Sequence, residues 1–153
     1  YSVIDNPYFN KLNLKPTKGE ILIIYCKNLN IKKIIHSGFL FIPLGNNYYS
    51  VGATYNWKKI NTSPTLKEKE KIISILDTIL SIPYDIIDQK AGIRPSTFDR
   101  RPLIGSHQKY KHLYILNGLG TRGVLLAPYL SKCLIKNIYF DVPINNEINI
   151  NRL

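Results

Sequence analysis

An α+β fold is predicted, an antiparallel sheet with a covering helix followed by a strand, a turn and a helix, and three stretches of the sequence predict it. Residues 38–55 read as a hairpin, because Gly45-Asn46-Asn47 joins two extended arms with residues that tolerate left-handed φ. Residues 65–81 place Leu66, Ile73, Leu76 and Leu80 on one helical face, widened by Ile72, Ile75 and Ile79. Near the end, the apolar run His112-Leu113-Tyr114-Ile115-Leu116 enters a glycine-punctuated turn. After that turn Leu130, Cys133, Leu134 and Ile138 recur at helical spacing.

Taken in order, residues 1–16 are polar and irregular, with Pro7 and Pro16 breaking any helix. Lys18-Gly19-Glu20 then leads into Ile21-Leu22-Ile23-Ile24-Tyr25-Cys26, an unbroken apolar run that predicts a strand buried on both faces. After a lysine-rich turn the chain resumes at Ile34-Ile35-His36. In the hairpin, Phe39 and Phe41 share a face of the first arm, and Tyr49, Val51, Ala53 and Tyr55 share a face of the second. Gly52-Ala53 puts small residues mid-strand, which suits a close approach by a ligand or backbone, or equally a bulge or a tight core contact. Thr65-Leu66-Lys67-Glu68 after Pro64 fits a capping box, and Pro83 ends the helix. That helix covers a sheet and carries no chemistry. Residues 84–90 read as another strand. In the last helix Pro128 sits in an early turn, or regular helix starts near Ala127; Asp141-Val142-Pro143 then stops it. The polar tail at 145–153 holds Ile148 and Ile150.

Composition narrows the function. With 44% hydrophobic and 11% aromatic residues, 153 residues can bury a sizeable core. The net charge of +11 invites a nucleic-acid reading, but 16 of the 21 basic residues are lysines spread along a chain also rich in Ile and Asn. A compositional drift with solvated lysine faces accounts for that charge. Cys26 and Cys133 lie in apolar surroundings and read as free thiols, and neither they nor His36, His107 and His112 have metal-ligand spacing. No apolar run is long enough to span a bilayer and no cleavable signal pattern opens the chain, so a cytoplasmic location is expected. A chain without methionine that opens at Tyr1 is expected to be a piece of something longer or a processed product.

Two places carry candidate chemistry. In Gly92-Ile93-Arg94-Pro95, a lone arginine follows an apolar neighbour; with Ile93 facing the core, Arg94 points to the opposite side and Pro95 fixes the exit. A guanidinium grips a carboxylate with a planar fork, although an internal ion pair to Asp99 or Asp88 would use it as well. The second place is Asn117-Gly118-Leu119-Gly120-Thr121-Arg122-Gly123-Val124-Leu125. Strand, glycine turn and helix aim backbone N–H groups and a positive helix end at an anionic or electron-rich ligand, unless the glycines merely make a tight corner. The turn is read neither as a phosphate loop, since no Lys-Ser/Thr pair follows its last glycine, nor as a dinucleotide fingerprint, whose third glycine is expected later and with an acidic residue downstream. No catalytic nucleophile–base constellation is found.

Three segments together resemble the C-terminal part of the glycine/D-amino-acid oxidase-like FAD flavoproteins: the hairpin, with its Gly-Ala-Thr; Gly92-Ile93-Arg94-Pro95 with Asp99, Pro102 and Ile104-Gly105; and Gly118-Leu119-Gly120-Thr121-Arg122-Gly123 with Ala127-Pro128. Their order matches, and the resemblance covers nearly the whole chain. It implies that residues 1–110 are part of a substrate-binding domain, and that residues 111–153 return to a Rossmann-type FAD domain whose N-terminal ADP-binding segment is missing. That missing segment would be a partner of this piece. Arg94 would hold the substrate carboxylate. Leu119, Gly120, Thr121, Arg122, Gly123, Val124 and Leu125 would line the flavin's pyrimidine edge.

The resemblance implies oxidation of the amine of a small amino acid (glycine, sarcosine or D-amino-acid type) by hydride transfer to FAD. The fragment alone is expected to be inactive. Arg122 stands one position later than in glycine-oxidase-like sequences and looks more like the Leu-Gly-[Ser/Thr]-Arg-Gly form of a tRNA wobble-uridine modifying oxidase. The rivals are therefore that tRNA-modifying oxidase, for which the positive charge is welcome, and a non-enzymatic basic interaction module.

Overall fold

The computed structural model describes residues 6–12 and 14–152. Part of the irregular opening segment, residues 1–5 and 13, lies outside the described residues, as does Leu153. The fold is α+β, in two compact units: residues 18–93, and residues 1–17 with 94–153.

The first unit is a five-stranded sheet. Its strands are β1 (Thr17–Tyr25), β2 (Ile35–Ser37), β3 (Phe39–Gly45), β4 (Tyr48–Gly52) and β5 (Asp85–Arg94), in the order β2-β3-β4-β1-β5. The pairs β2–β3, β3–β4 and β1–β4 are antiparallel. The predicted hairpin forms as β3 and β4, and Asn46 and Asn47 adopt φ of 51° and 63° at its turn. Its second arm is shorter than predicted: regular pairing stops at Gly52, and Tyr55 lies beyond it. A Cβ at Gly52 would sit 2.8 Å from the Ile21 methyl and 2.9 Å from the Glu20 carbonyl. The small residue therefore serves a tight contact with β1, the structural alternative left open above.

Helix α1 (Leu66–Ile79) covers one sheet face. Ile72 and Leu76 pack with Leu22 and Ile24 of β1, with Cys26 just after it, and with Phe39, Phe41, Tyr49 and Val51 of the hairpin. Each such fully buried side chain contributes about 1.5–3 kcal/mol. The expectation that β1 is buried on both faces needs correction. Leu22 and Ile24 are fully buried, but Ile21, Ile23 and Tyr25 on the other face are only half-buried. An unbroken apolar run does not distinguish these cases, because a half-exposed face tolerates isoleucine.

The start of α1 is organised by a buried ion pair that the capping-box pattern did not foretell. Lys18 and Glu20, on β1, lie 3.0 Å apart with both side chains 1% exposed. Lys18 Nζ also donates to Asn61 Oδ1 at 3.0 Å and to the Ser63 carbonyl. The Glu20 carboxylate accepts from Thr65 N (2.8 Å), Thr65 Oγ1 (3.0 Å) and Gln89 Nε2 (2.7 Å). Thr65 is the N-cap as predicted, its hydroxyl oxygen accepting from Glu68 N at 3.4 Å. The return bond of the box, to the Thr65 N–H, comes from Glu20 and not from Glu68, whose Oε1 takes Asn56 Nδ2 at 3.3 Å. Burial opposes ionisation of Glu20, but the Thr65 and Lys18 contacts outweigh it and hold its pKa below the ordinary 4.5.

The second unit holds the hairpin of β6 (Leu103–Ser106) and β7 (Tyr114–Asn117), then helix α2 (Gly123–Phe140). The early-turn alternative for Pro128 is the one adopted, since α2 begins at Gly123 and carries Pro128 within it. Asp141 ends α2 in the left-handed conformation, φ 54°. The tail returns to β6: Ile104 N donates to the Ile148 carbonyl at 2.8 Å, and Ile150 is buried with Phe9 and Ile115. Cys26 and Cys133 are free thiols. Among the described residues no helix is long and apolar enough to cross a membrane.

Lys18→Met leaves a buried carboxylate without its cation, so it is expected to lower the unfolding free energy of the full-length protein by about 3–5 kcal/mol in denaturant titrations. Because the folded pKa of Glu20 is depressed, its contribution is full above 4.5 and is lost as pH falls through the lower folded value. Melting temperature should therefore drop more steeply on acidification in the wild type than in Glu20→Gln.

Candidate functional site

Arg94 and the glycine turn lie in one unit, and the residues just after Arg94 touch the turn. Arg94 is the last residue of β5 and is half-buried. Immediately after it, the Pro95 carbonyl accepts the N–H of Gly120 at 3.0 Å, and Ser96 forms an antiparallel bridge with Leu119. The segment carrying the guanidinium is thus hydrogen-bonded to the glycine turn. Asp99 and Asp88, the carboxylates considered as internal partners for Arg94, engage Arg152 and Lys90 respectively.

Buried hydroxyls that the sequence reading passed over hold this junction. Ser96 Oγ lies 3.1 Å from Thr17 Oγ1, and the Ser96 carbonyl accepts from Lys15 N at 2.6 Å. Thr97 is fully buried and donates from Oγ1 to the Arg101 carbonyl at 2.7 Å. Its methyl backs directly onto Gly118: a Cβ there would come within 2.8 Å of Thr97 Cγ2 and 3.4 Å of the Arg101 carbonyl. Gly118 also has φ +71°, so close approach and backbone conformation both demand glycine. The signal available in the sequence was the Ser-Thr pair directly after Arg94-Pro95.

The far side of the turn opens onto solvent. Arg122 is the α2 N-cap and makes no side-chain cap bond, and no acidic residue stands in the first turn. Leu126 N bonds to the Arg122 carbonyl at 2.9 Å, so the N–H groups of Gly123, Val124 and Leu125 lack intrahelical acceptors. Thr121 and Arg122 are exposed, and Val124 and Leu125 are 96% and 76% exposed. Apolar side chains beside a bare positive helix end suit a flat apolar ligand with a polar, electron-rich edge. The expectation about the third glycine needs correction, because Gly118, Gly120 and Gly123 do have G-x-G-x-x-G spacing; what differs is the context, since β7 pairs antiparallel with β6 and the described residues after α2 contain no strand. The βαβ context of a dinucleotide fingerprint is therefore lacking here.

Around the junction, Asp99 anchors the 97–102 turn. Arg152 donates to it through Nε (3.0 Å) and Nη2 (3.1 Å), and Arg101 N adds a bond of 3.1 Å. The Arg152 contact chiefly holds the Asp99 pKa down at about 2, against the opposing effect of burial.

Residues 4–136 match the family described as FAD dependent oxidoreductase (DAO). The chain belongs to this family. Its cofactor is FAD, and the open α2 start described above suits the flavin's electron-rich edge. Among curated relatives, glycine oxidase of Bacillus subtilis is 27% identical over 92% of this chain and 40% of its own length. The tRNA 5-methylaminomethyl-2-thiouridine biosynthesis bifunctional protein MnmC of Idiomarina loihiensis is 24% identical over 82% of this chain and 21% of its own. Among solved structures, glycine oxidase from Bacillus cereus superposes with a TM-score of 0.72 at 22% identity, over 89% of this chain and 38% of that one, which shows a shared fold. The chain thus spans at most two-fifths of the length of these relatives.

Gly118→Ala is expected to destabilise the protein by about 1–3 kcal/mol, through overpacking and left-handed strain together. Gly45→Ala, at φ +90° but with nothing within 4 Å of the new Cβ, should cost less. Paired thermal melts check the order; equal losses would mean that Thr97 does not back the turn.

Proposed function

We propose that the full-length protein is an FAD-dependent oxidoreductase that oxidises the amine of a small amino acid, of the glycine, sarcosine or D-amino-acid type, by hydride transfer to the flavin. The observation that supports this most is the direct hydrogen-bonded union of the Arg94 segment with the glycine turn. In this reading Arg94 binds the substrate carboxylate bidentately and so orients the amine-bearing carbon. Residues 119–125 hold the flavin's pyrimidine edge. The N–H groups at the start of α2, which have no intrahelical acceptors, favour the negative charge that accumulates there on reduction. FAD, when bound, supplies the electron-accepting ring, and the chain's own task is binding, orientation and electrostatics. Residues 111–153 complete the FAD-binding domain, and residues 1–110 contribute to the substrate domain. The described residues contain no ADP-binding βαβ unit, and in this reading the 153 residues by themselves neither retain flavin nor turn over.

A tRNA-modifying oxidase is the second reading, favoured by the match to MnmC and by Leu119-Gly120-Thr121-Arg122-Gly123. Salt-sensitive tRNA binding by the full-length protein supports it, and indifference to tRNA at low salt counts against it.

Arg94→Ala in the full-length enzyme is expected to raise KM for the amino-acid substrate by an amount equivalent to about 2–5 kcal/mol, with Arg94→Lys intermediate because it keeps the charge and loses the fork. Steady-state kinetics read this directly. An unchanged KM in Arg94→Ala removes the assigned role.

A further inference from the structure

Within the second unit, the N-terminal turn and the β6–β7 connection enclose a cleft of about 630 Å³ lined by Tyr8, Phe9, Lys11, His107, Lys109 and Tyr110 among others. Its floor is apolar, since Phe9 and Ile150 pack with Ile115. His107 fixes its walls. Nδ1 accepts the backbone N–H groups of Lys109 (3.0 Å) and Tyr110 (3.2 Å), which places the ring proton on Nε2, where it is donated to the Tyr8 carbonyl at 2.9 Å. One imidazole therefore ties together the two segments that bear Tyr8 and Tyr110. Those rings meet edge to face at 5.4 Å and 89°, yet remain 49% and 45% exposed.

The chemistry of the lining is one-sided. Lys109 Nζ stands 5.4 Å from the Tyr110 ring centroid, Lys11 adds a second ammonium, and no carboxylate is among the described lining residues. Gln108 and Asn151, 3.5 Å apart, present amide groups to the same space. Half-exposed aromatic rings with ammonium groups and amides beside them suit a neutral planar base joined to a negatively charged phosphate. We propose that this cleft binds a nucleotide other than the flavin, the base stacking on an exposed tyrosine face and the phosphate lying near Lys109 and Lys11. The inference is independent of the amine-oxidising reading, because it uses none of the residues assigned there.

A free nucleotide and a nucleotide within an RNA strand offer this same chemistry. The test uses the flavin-loaded full-length protein, so that the ADP site is filled, and titrates it with AMP, UMP and a single-stranded ten-nucleotide RNA in calorimetry at low and moderate salt. Saturable binding is expected, weakened by about tenfold or more in Tyr110→Ala, as loss of a stacking platform implies. Lys109→Gln should weaken it too and flatten its salt dependence. Tighter binding of the RNA than of the mononucleotides assigns the site to a strand, and equal affinity assigns it to a free nucleotide. Absence of binding at millimolar ligand overturns the proposal. So does binding that is unchanged in both Tyr110→Ala and the surface variant Lys109→Gln, each checked for an unaltered melting temperature.

Discussion

One short contact underlies the functional account: the Gly120 N–H on the Pro95 carbonyl, 3.0 Å long, beside the Ser96–Leu119 bridge. It forces the end of β5 and the entry to α2 to share a place, although 25 residues of sequence and a β-hairpin separate Pro95 from Gly120. Everything adjoining that contact is built to keep it. Thr97 fills the space behind Gly118, Ser96 is held by Thr17 and Lys15, and Asp99 with Arg152 fastens the intervening turn to the tail. Because the backbone itself makes the junction, residues 95–96 and the turn that enters α2 are held side by side.

A different constraint governs the sheet unit. The Lys18–Glu20 pair connects β1 to the start of α1, to the 61–63 loop and, through Gln89, to β5. Taking two charges out of water costs several kcal/mol each, and the pair persists because every remaining valence is met by Thr65, Asn61, Ser63 and Gln89. Such a network favours one arrangement of strand, loop and helix over its near alternatives. The apolar core under α1 supplies cohesion that is far less selective.

Local patterns were legible in the sequence, and long-range polar ones were not. The hairpin, the helix over 66–79 and the end of α2 at Asp141 follow from turn residues, periodicity and caps, all of which act within a few residues. Lys18 reads as a solvated charge, because the residues that bury it, Asn61 and Ser63, lie more than forty positions away. Glu68 sat at the right spacing for a capping box, but Glu20 reached the Thr65 N–H instead, since β1 lays its carboxylate across the helix start. His107 is similar: its role is defined by Tyr8, ninety-nine residues earlier. For the candidate site, the residue types pointed to anion binding in each place separately. Their union came from the family resemblance, and the hydrogen bonds across 95–97 and 118–120 then gave it a physical basis.

The most direct measurement is a titration of the flavin-loaded full-length protein with a small carboxylate that cannot be oxidised, such as acetate or benzoate, followed in the visible flavin spectrum. If Arg94 and the turn at 118–123 serve one site, the carboxylate perturbs the flavin bands saturably, and Arg94→Ala abolishes the perturbation while the flavin stays bound. A spectrum indifferent to carboxylate, or one perturbed equally in Arg94→Ala, contradicts the account.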